Sequence, residues 1–431
     1  MTRIVMAASV IATMTAVLIC AQQPVMPAAI ELPKPSGPYP VATTSWRITD
    51  PARKETFTAA GDPRQVEVIA WYPAAAPRRT GALAPYLREG LQEVRTFATV
   101  LRASRAVFDA VEDVPTHAEL DAAPRVGPRK LPVLVFSAGY TGIPSSHTAL
   151  LEDLASHGYA VLNIVHPYEE TGATLADGRV VTTLTGAGTM LPPISEVMSE
   201  WRTEDETMAA VTNTEDAAEQ LRLMRAYLAG LTHTQAALKR WVDDTKLVLD
   251  RLSAVPARGP ASRLVAALDL TRLGAFGHSM GGVMAGQFCL DDRRCRAGLN
   301  LDGIPQSGTV IDGAMQRPFM MVYSARPGRV GANDPIYRTA ARPYYRADVK
   351  DTRHLDFTDM VFWGGPLRER PILGTLAPGR ITEITRLLVR RYFDQELLGQ
   401  RAALSGVLAP LSEVTFRTVT PAGRQNRASL K

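Results

Sequence analysis

Residues 274–286 read GAFGHSMGGVMAG, and within them Gly277-His278-Ser279-Met280-Gly281 fits the pattern G-x-S-x-G. A serine hydroxyl attacks a carbonyl only when a base takes its proton, and that base works best when a carboxylate orients it. The chemistry open to Ser279 is therefore acyl transfer, with the rest of the apparatus supplied from elsewhere in the chain. The apolar run RLGAFG (272–277) reads as a strand and GGVMAGQFCL as the helix that follows, the setting in which this pattern forms a sharp nucleophile turn. In such a turn, side chains two residues to either side of the serine would strike the strand and the helix, so glycine is needed at 277 and 281. A glycine-rich helix start can also cradle phosphate, but no Gly-Lys-Ser/Thr sequence follows.

Seven histidines are available as the base. Where a strand–turn–helix carries the serine, the chain order is Ser, acid, His, and only His354 follows Ser279. His278 lies inside the turn and is expected to pack beside it, while His147, His157 and His166 lie upstream. For the acid, Asp302 ends the strand AGLNLDG and should share a sheet edge with Ser279; Asp334, ten residues beyond Ser324 in a polar loop, is the alternative. Asp312, Asp356 and Asp359 read as solvated or capping residues. The tetrahedral oxyanion needs fixed N–H donors, each worth about 2.7–4 kcal/mol in related catalysts. The Met280 amide at the helix N-terminus is one candidate, and the Tyr140 amide, following Ala138-Gly139, is the other.

The elements that must hold these residues follow from hydrophobic patterning. LPVLVFS (131–137) and YAVLNIV (159–165) are continuous apolar runs, as expected of parallel strands covered on both faces. Between them a loop, a helix ending near His157 and Gly158 complete a βαβ unit. Strands are also expected at 41–49, 66–73 and 317–324, and helices near 89–104 and over 380–399. Residues 195–255 carry long helical periodicity with a charged outer face, read as an insertion before the serine turn. The terminal GRQNRASLK reads as frayed. The fold class is α/β, a mostly parallel central sheet flanked by helices, in one domain over 22–431.

The N-terminus, MTRIVMAASVIATMTAVLICAQQP, has Arg3 ahead of a short apolar run and small residues after it, which reads as a signal peptide over 1–21 and hence export to the periplasm or medium. A membrane anchor is the alternative reading. With Cys20 removed, Cys289 and Cys295 remain, either as a disulfide closing a very short loop or as two buried thiols. No histidine or further cysteine beside them suggests a metal, and no cofactor is called for. A net charge of +5 spread over 48 basic and 43 acidic residues, without a Lys/Arg block, gives no nucleic-acid surface. Phe362-Trp363 could touch a membrane transiently or pack in the interior.

The segments LPVLVFSAGYTG, DLASHGYAVLNIVHP, GAFGHSMGG, RCRAGLNLDG and RHLDFTDM, in this order over about 130–365, resemble the secreted platelet-activating factor acetylhydrolases and their bacterial relatives in the α/β-hydrolase superfamily. The resemblance implies Ser279 as nucleophile in G-H-S-x-G-G and supports Asp302, in an L-D pair, over Asp334 as acid. It places the base in an H-x-x-F-x-D-like stretch, here His354, Phe357 and Asp359. It implies a calcium-independent serine esterase acting on short or oxidised phospholipid acyl chains. The chain departs from the family in having Ala138-Gly139 where His-Gly is usual, and it matches poorly before residue 130. An amidase or polyester hydrolase could use the same three residues, and a catalytically silent binding protein could share the fold.

An imidazole ordinarily titrates near pH 6.5, so turnover of a neutral ester is expected to rise through neutral pH as the base loses its proton. A pH–rate profile flat from acid to neutral would count against His354.

Overall fold

The computed structural model describes residues 30–76, 81–103, 105–255, 258–304, 311–337, 340–364, 367, 372–400 and 404–419. The leader read over residues 1–21 and the terminal GRQNRASLK lie outside them.

The described strands are β1 (Val41–Lys54), β2 (Pro63–Pro73), β3 (Ala118–Leu120), β4 (Leu131–Ser137), β5 (Ala160–Val165), β6 (Ala173–Thr174), β7 (Val180–Val181), β8 (Leu268–His278), β9 (Cys295–Leu301), β10 (Phe319–Ser324), β11 (Tyr344–Val349) and β12 (Val414–Val419). Ten of them form one sheet in the order β12-β11-β10-β9-β8-β4-β5-β2-β1-β3, and β6 and β7 pair separately. From β11 across to β5 every pairing is parallel; β2 and β12 join antiparallel at the two flanks.

The two continuous apolar runs are the sheet's centre because both of their faces are covered. Alternate residues of β4 feed separate cores: Val133 and Val135 enter one with Trp241, Met284 and Phe288, and Leu134 and Phe136 enter the other with Leu150, Ile384 and Leu388. Helices Thr232–Asp250 and Met280–Asp291 supply the first cover, and Thr148–Ser156 and Pro378–Leu398 the second. The final helix stops where Gly399 takes φ 66°, a left-handed cap.

The helical stretch expected over 195–255 is four helices, Pro192–Glu200, Glu204–Asn213, Ala217–Ala229 and Thr232–Asp250. Strands β3, β6, β7, β11 and β12 are not among the apolar runs from which strands are expected. In β11 (YYRADV) the polar Arg346 and Asp348 break the apolar run, and they pair with each other at 2.7 Å. Cys289 on helix Met280–Asp291 and Cys295 at the start of β9 form a disulfide with Cα atoms 5.0 Å apart.

One buried ionic cluster ties the antiparallel flank to the centre. Arg64 on β2 is 1 % exposed and reaches Glu55 (2.9 Å), Asp244 of helix Thr232–Asp250 (2.7 Å) and Glu169 after β5 (3.4 Å). Burial opposes the charge on Asp244, but Arg64 and the hydrogen bond from His166 outweigh it and hold the carboxyl well below the usual range. Arg53 also reaches Asp244 (2.9 Å) and Arg240 reaches Glu169 (2.6 Å), so removing the guanidinium would leave buried Glu55 without its cation and the other two carboxylates with one each. Arg64→Met is expected to lower the unfolding free energy by about 3–5 kcal/mol in a denaturant titration; an unchanged midpoint would mean that the cluster contributes no net stability.

Candidate active site

β8 ends at His278 and the next helix begins at Met280, so Ser279 alone makes the turn, with φ 55° and ψ −124°. A side chain at positive φ is unfavourable, and the surroundings must hold it there. The Ser279 amide donates to Leu301 O of β9 (2.9 Å), and its carbonyl accepts from Gly282 N (3.0 Å) and Val283 N (3.2 Å). A Cβ at 277 would overlap the main chain of Gly281, and one at 281 would overlap the Ser137 and Ala138 carbonyls at the end of β4. Glycine at both positions therefore lets helix, strand and neighbouring strand converge on the serine.

The loop after β4 passes beside the same residue: a Cβ on Gly139 would lie 3.1 Å from Ser279 Cβ. The Thr141 amide donates to Glu169 O (2.8 Å) and Thr171 N to Gly142 O (3.0 Å), fixing the loop against the segment after β5. The Tyr140 amide makes no hydrogen bond to another described residue. The Tyr140 ring is buried against Trp201 and Trp241.

Asp302 follows β9 with φ 57° and is 2 % exposed. Its Oδ1 accepts from Ser324 N (2.7 Å); its Oδ2 accepts from Ser324 Oγ (2.9 Å) and from His354 Nδ1 (2.8 Å) and lies 3.3 Å from Arg326. Burial disfavours the charge, yet the His354 hydrogen bond, Arg326 and the Ser324 amide together keep the carboxyl well below the usual carboxylate range. An ionised Asp302 can only accept, so His354 carries its proton on Nδ1 and leaves the Nε2 lone pair free. Asp334, the alternative acid, is engaged by Arg346 (2.5 Å) and Tyr344 Oη (2.8 Å) instead.

Other sequence expectations divide. Asp312 is exposed and pairs with Arg225; Asp356 caps the turn after His354, accepting from Arg353 N and Gly374 N, each at 2.6 Å. Asp359 is not solvated: it is 4 % exposed, accepts from Tyr86 Oη and Ala149 N (3.2 Å each), and burial pushes it up to about 8. Trp363 is buried edge-on against Tyr86 and Phe108, so its ring is interior packing, and Phe362 is half-buried beside it.

His278 packs beside the turn, as expected, and does more. Its Nε2 donates to the His354 carbonyl (2.8 Å), pinning the loop that carries the imidazole. Burial, with His354 and His147 beside it, drives His278 well below the ordinary imidazole range, so it stays neutral in this role. His147, which pattern reading left on the upstream βαβ unit, lines the same cavity; burial and His354 lower it to about 3.

Ser279, His354 and Asp302 open on a cavity of about 410 Å³. Phe97, Leu101 and Met360 give it apolar walls, Met198 and Trp201 of the helical segment cover it, and Arg326 and Arg353 bring positive charge. A second Ser–His–Asp chain, Ser137 Oγ to His166 Nε2 (3.1 Å) and His166 Nδ1 to Asp244 (2.9 Å), lies fully buried, so it braces the β4 exit and has no access to substrate. Among the described residues no group of three or more His, Cys, Asp and Glu is arranged to hold a metal ion.

The profile of the family platelet-activating factor acetylhydrolase, isoform II, matches residues 26–365. The chain belongs to that family. The match starts well upstream of residue 130, so the segment that looked dissimilar in the sequence is part of the family unit. Among solved structures, a ferulic acid esterase from Streptomyces cinnamoneus is similar, with 25 % identity and a TM-score of 0.64 over 90 % of this chain and 99 % of that one. No curated protein matches the sequence. Family and fold together make the chain an esterase-type hydrolase of the α/β-hydrolase fold, with a small-molecule ester as its substrate.

Gly281→Ala would force the added methyl into the Ser137 and Ala138 carbonyls, an overpacking that costs about 1–3 kcal/mol. The variant is expected to melt at a lower temperature and to lose at least about tenfold in kcat, since misplacement of reacting groups by an ångström is costly. Full activity in Gly281→Ala would show that the turn tolerates displacement.

Proposed function

We propose that this member of the family is an exported serine esterase working through an acyl-serine intermediate. The observation that carries the reading is the 2.8 Å contact of His354 Nδ1 with the buried, ionised Asp302, in the cavity onto which strained Ser279 opens. His354 Nε2 accepts the Ser279 proton as Oγ attacks the ester carbonyl, and Asp302 stabilises the imidazolium that forms. The Met280 and Tyr140 amides hold the oxyanion; the helix N-terminus adds its dipole to the first. His354 then protonates the departing alcohol, and a water activated by the same nitrogen releases the acid.

The apolar walls fit an acyl or alcohol group of short-chain or phospholipid acyl type better than a charged one. The similar structure from Streptomyces cinnamoneus carries the description ferulic acid esterase, which keeps an aromatic ester among the substrates to be tried. Export rests on the N-terminal leader pattern over 1–21, and the Cys289–Cys295 bridge suits an oxidising compartment.

Hydrolysis of nitrophenyl esters of graded acyl length, with feruloyl and amide analogues alongside, tests the reading. Wild type should turn over the esters and Ser279→Ala should lose at least about 10³-fold in kcat with its fold intact. An unimpaired Ser279→Ala would remove the serine mechanism. Preference for the amide would make the enzyme an amidase, and a folded wild type inert on every substrate would favour a binding protein.

A further inference from the structure

Arg326 is not part of the Ser–His–Asp pattern, yet it stands against it. Its guanidinium lies 3.3 Å from Asp302 Oδ2, the oxygen that also accepts from His354 Nδ1 and Ser324 Oγ. Among the described residues Asp302 is its only ion-pair partner, and its buried Nε has no hydrogen-bond partner. Asp302 Oδ2 is thus the carboxylate oxygen that takes its charge at close range, and Asp205 feels it only from farther away.

The segment that carries Arg326 is clamped at both ends. Ala325 N donates to Thr352 O (3.0 Å), two residues before His354. Arg329 is bound by Glu204 (2.5 Å) and Asp205 of helix Glu204–Asn213, and Gly328, at φ 70°, packs on Ala209 of the same helix. Arg326 is thus aimed at Asp302 by the helical cover on one side and the His354 loop on the other.

We propose that Arg326 is a positioning residue for ester hydrolysis: it shares the Asp302 oxygen with His354, holding the carboxylate in place and weakening its pull on the imidazolium. The inference rests on the roles given above to Ser279, His354 and Asp302. When the imidazole gains a proton, Asp302 must serve two cations through one oxygen, so Arg326 opposes that gain and its removal should favour it. The other groups around the His354 ring do not substitute for this cation. His278 and His147 are buried and held neutral, Glu204 is committed to Arg329 and Tyr227, and Arg353 at the cavity rim is exposed, where solvent screens its charge.

The test is the pH dependence of kcat/KM on a neutral nitrophenyl ester. Arg326→Met and Arg326→Gln remove the charge from a side chain that is 24 % exposed, and either folded variant serves. The acid limb is expected to move up by about one pH unit, the low end for a neighbouring charge, while KM stays near wild type. Arg326→Lys should return the limb part of the way. Arg353→Met, which removes a cation from the same cavity without touching Asp302, should move it less. A limb that superimposes on wild type in the neutral variants overturns the inference, as does an equal shift in Arg353→Met, which would assign the effect to the general field of the cavity. Ser279→Ala and His354→Ala separate the two levels of argument: if either retains turnover, the underlying assignment fails, and if both lose it while Arg326 variants keep the wild-type limb, only the role of Arg326 falls.

Discussion

The backbone of Ser279, held at φ 55° between a strand and a helix, is the constraint around which the rest of the molecule is arranged. Such a conformation persists only when its surroundings over-determine it. Here β9 takes the Ser279 amide, the first turn of the helix takes its carbonyl, and the β4 carbonyls close in on a glycine where no side chain would fit. The strain thrusts a side chain out at the carboxyl edge of the sheet, the edge at which open α/β sheets present ligands.

Parallel pairing turns that edge into a meeting place. The loop after β4 brings Gly139 and Tyr140, the end of β8 brings Ser279, the end of β9 Asp302, the end of β10 Ser324 and Arg326, and the turn after β11 His354. Residues more than two hundred positions apart in the chain thus share one cavity, because successive parallel strands all finish on the same side. Antiparallel β1, β2 and β12 widen the sheet without adding to the set that lines the cavity.

Polar groups buried beneath and beside the site keep this edge from drifting. The Arg64–Asp244–His166–Ser137 chain joins β2, the cover helix Thr232–Asp250 and the last residue of β4, just before the loop that passes the serine. On the other side, Arg329 locks the helical cover to the segment after β10. His278 ties the turn to the His354 backbone. The arginine contacts are charge-assisted and the Ser137–His166 bond is fully buried, strong where water is excluded and costly to leave half made.

The local features were open to reading from the amino-acid order alone. Glycines two residues to either side of a serine, between an apolar run and a helix, announce the turn because the collision they relieve is between near neighbours. Continuous apolar runs announced the central strands, because burial on both faces leaves no room for alternation. The sheet's outer strands escaped notice where partner contacts, not periodicity, stabilise them, as for Arg346 and Asp348 in β11. His147 and Arg326 as neighbours of His354, the clamp from His278, the burial of Asp359 and the Arg64 cluster were decided by tertiary structure alone. Nothing in a linear pattern fixes the desolvation of a carboxylate or the distance between charges brought together from separate strands; those quantities exist only once the sheet has closed around them.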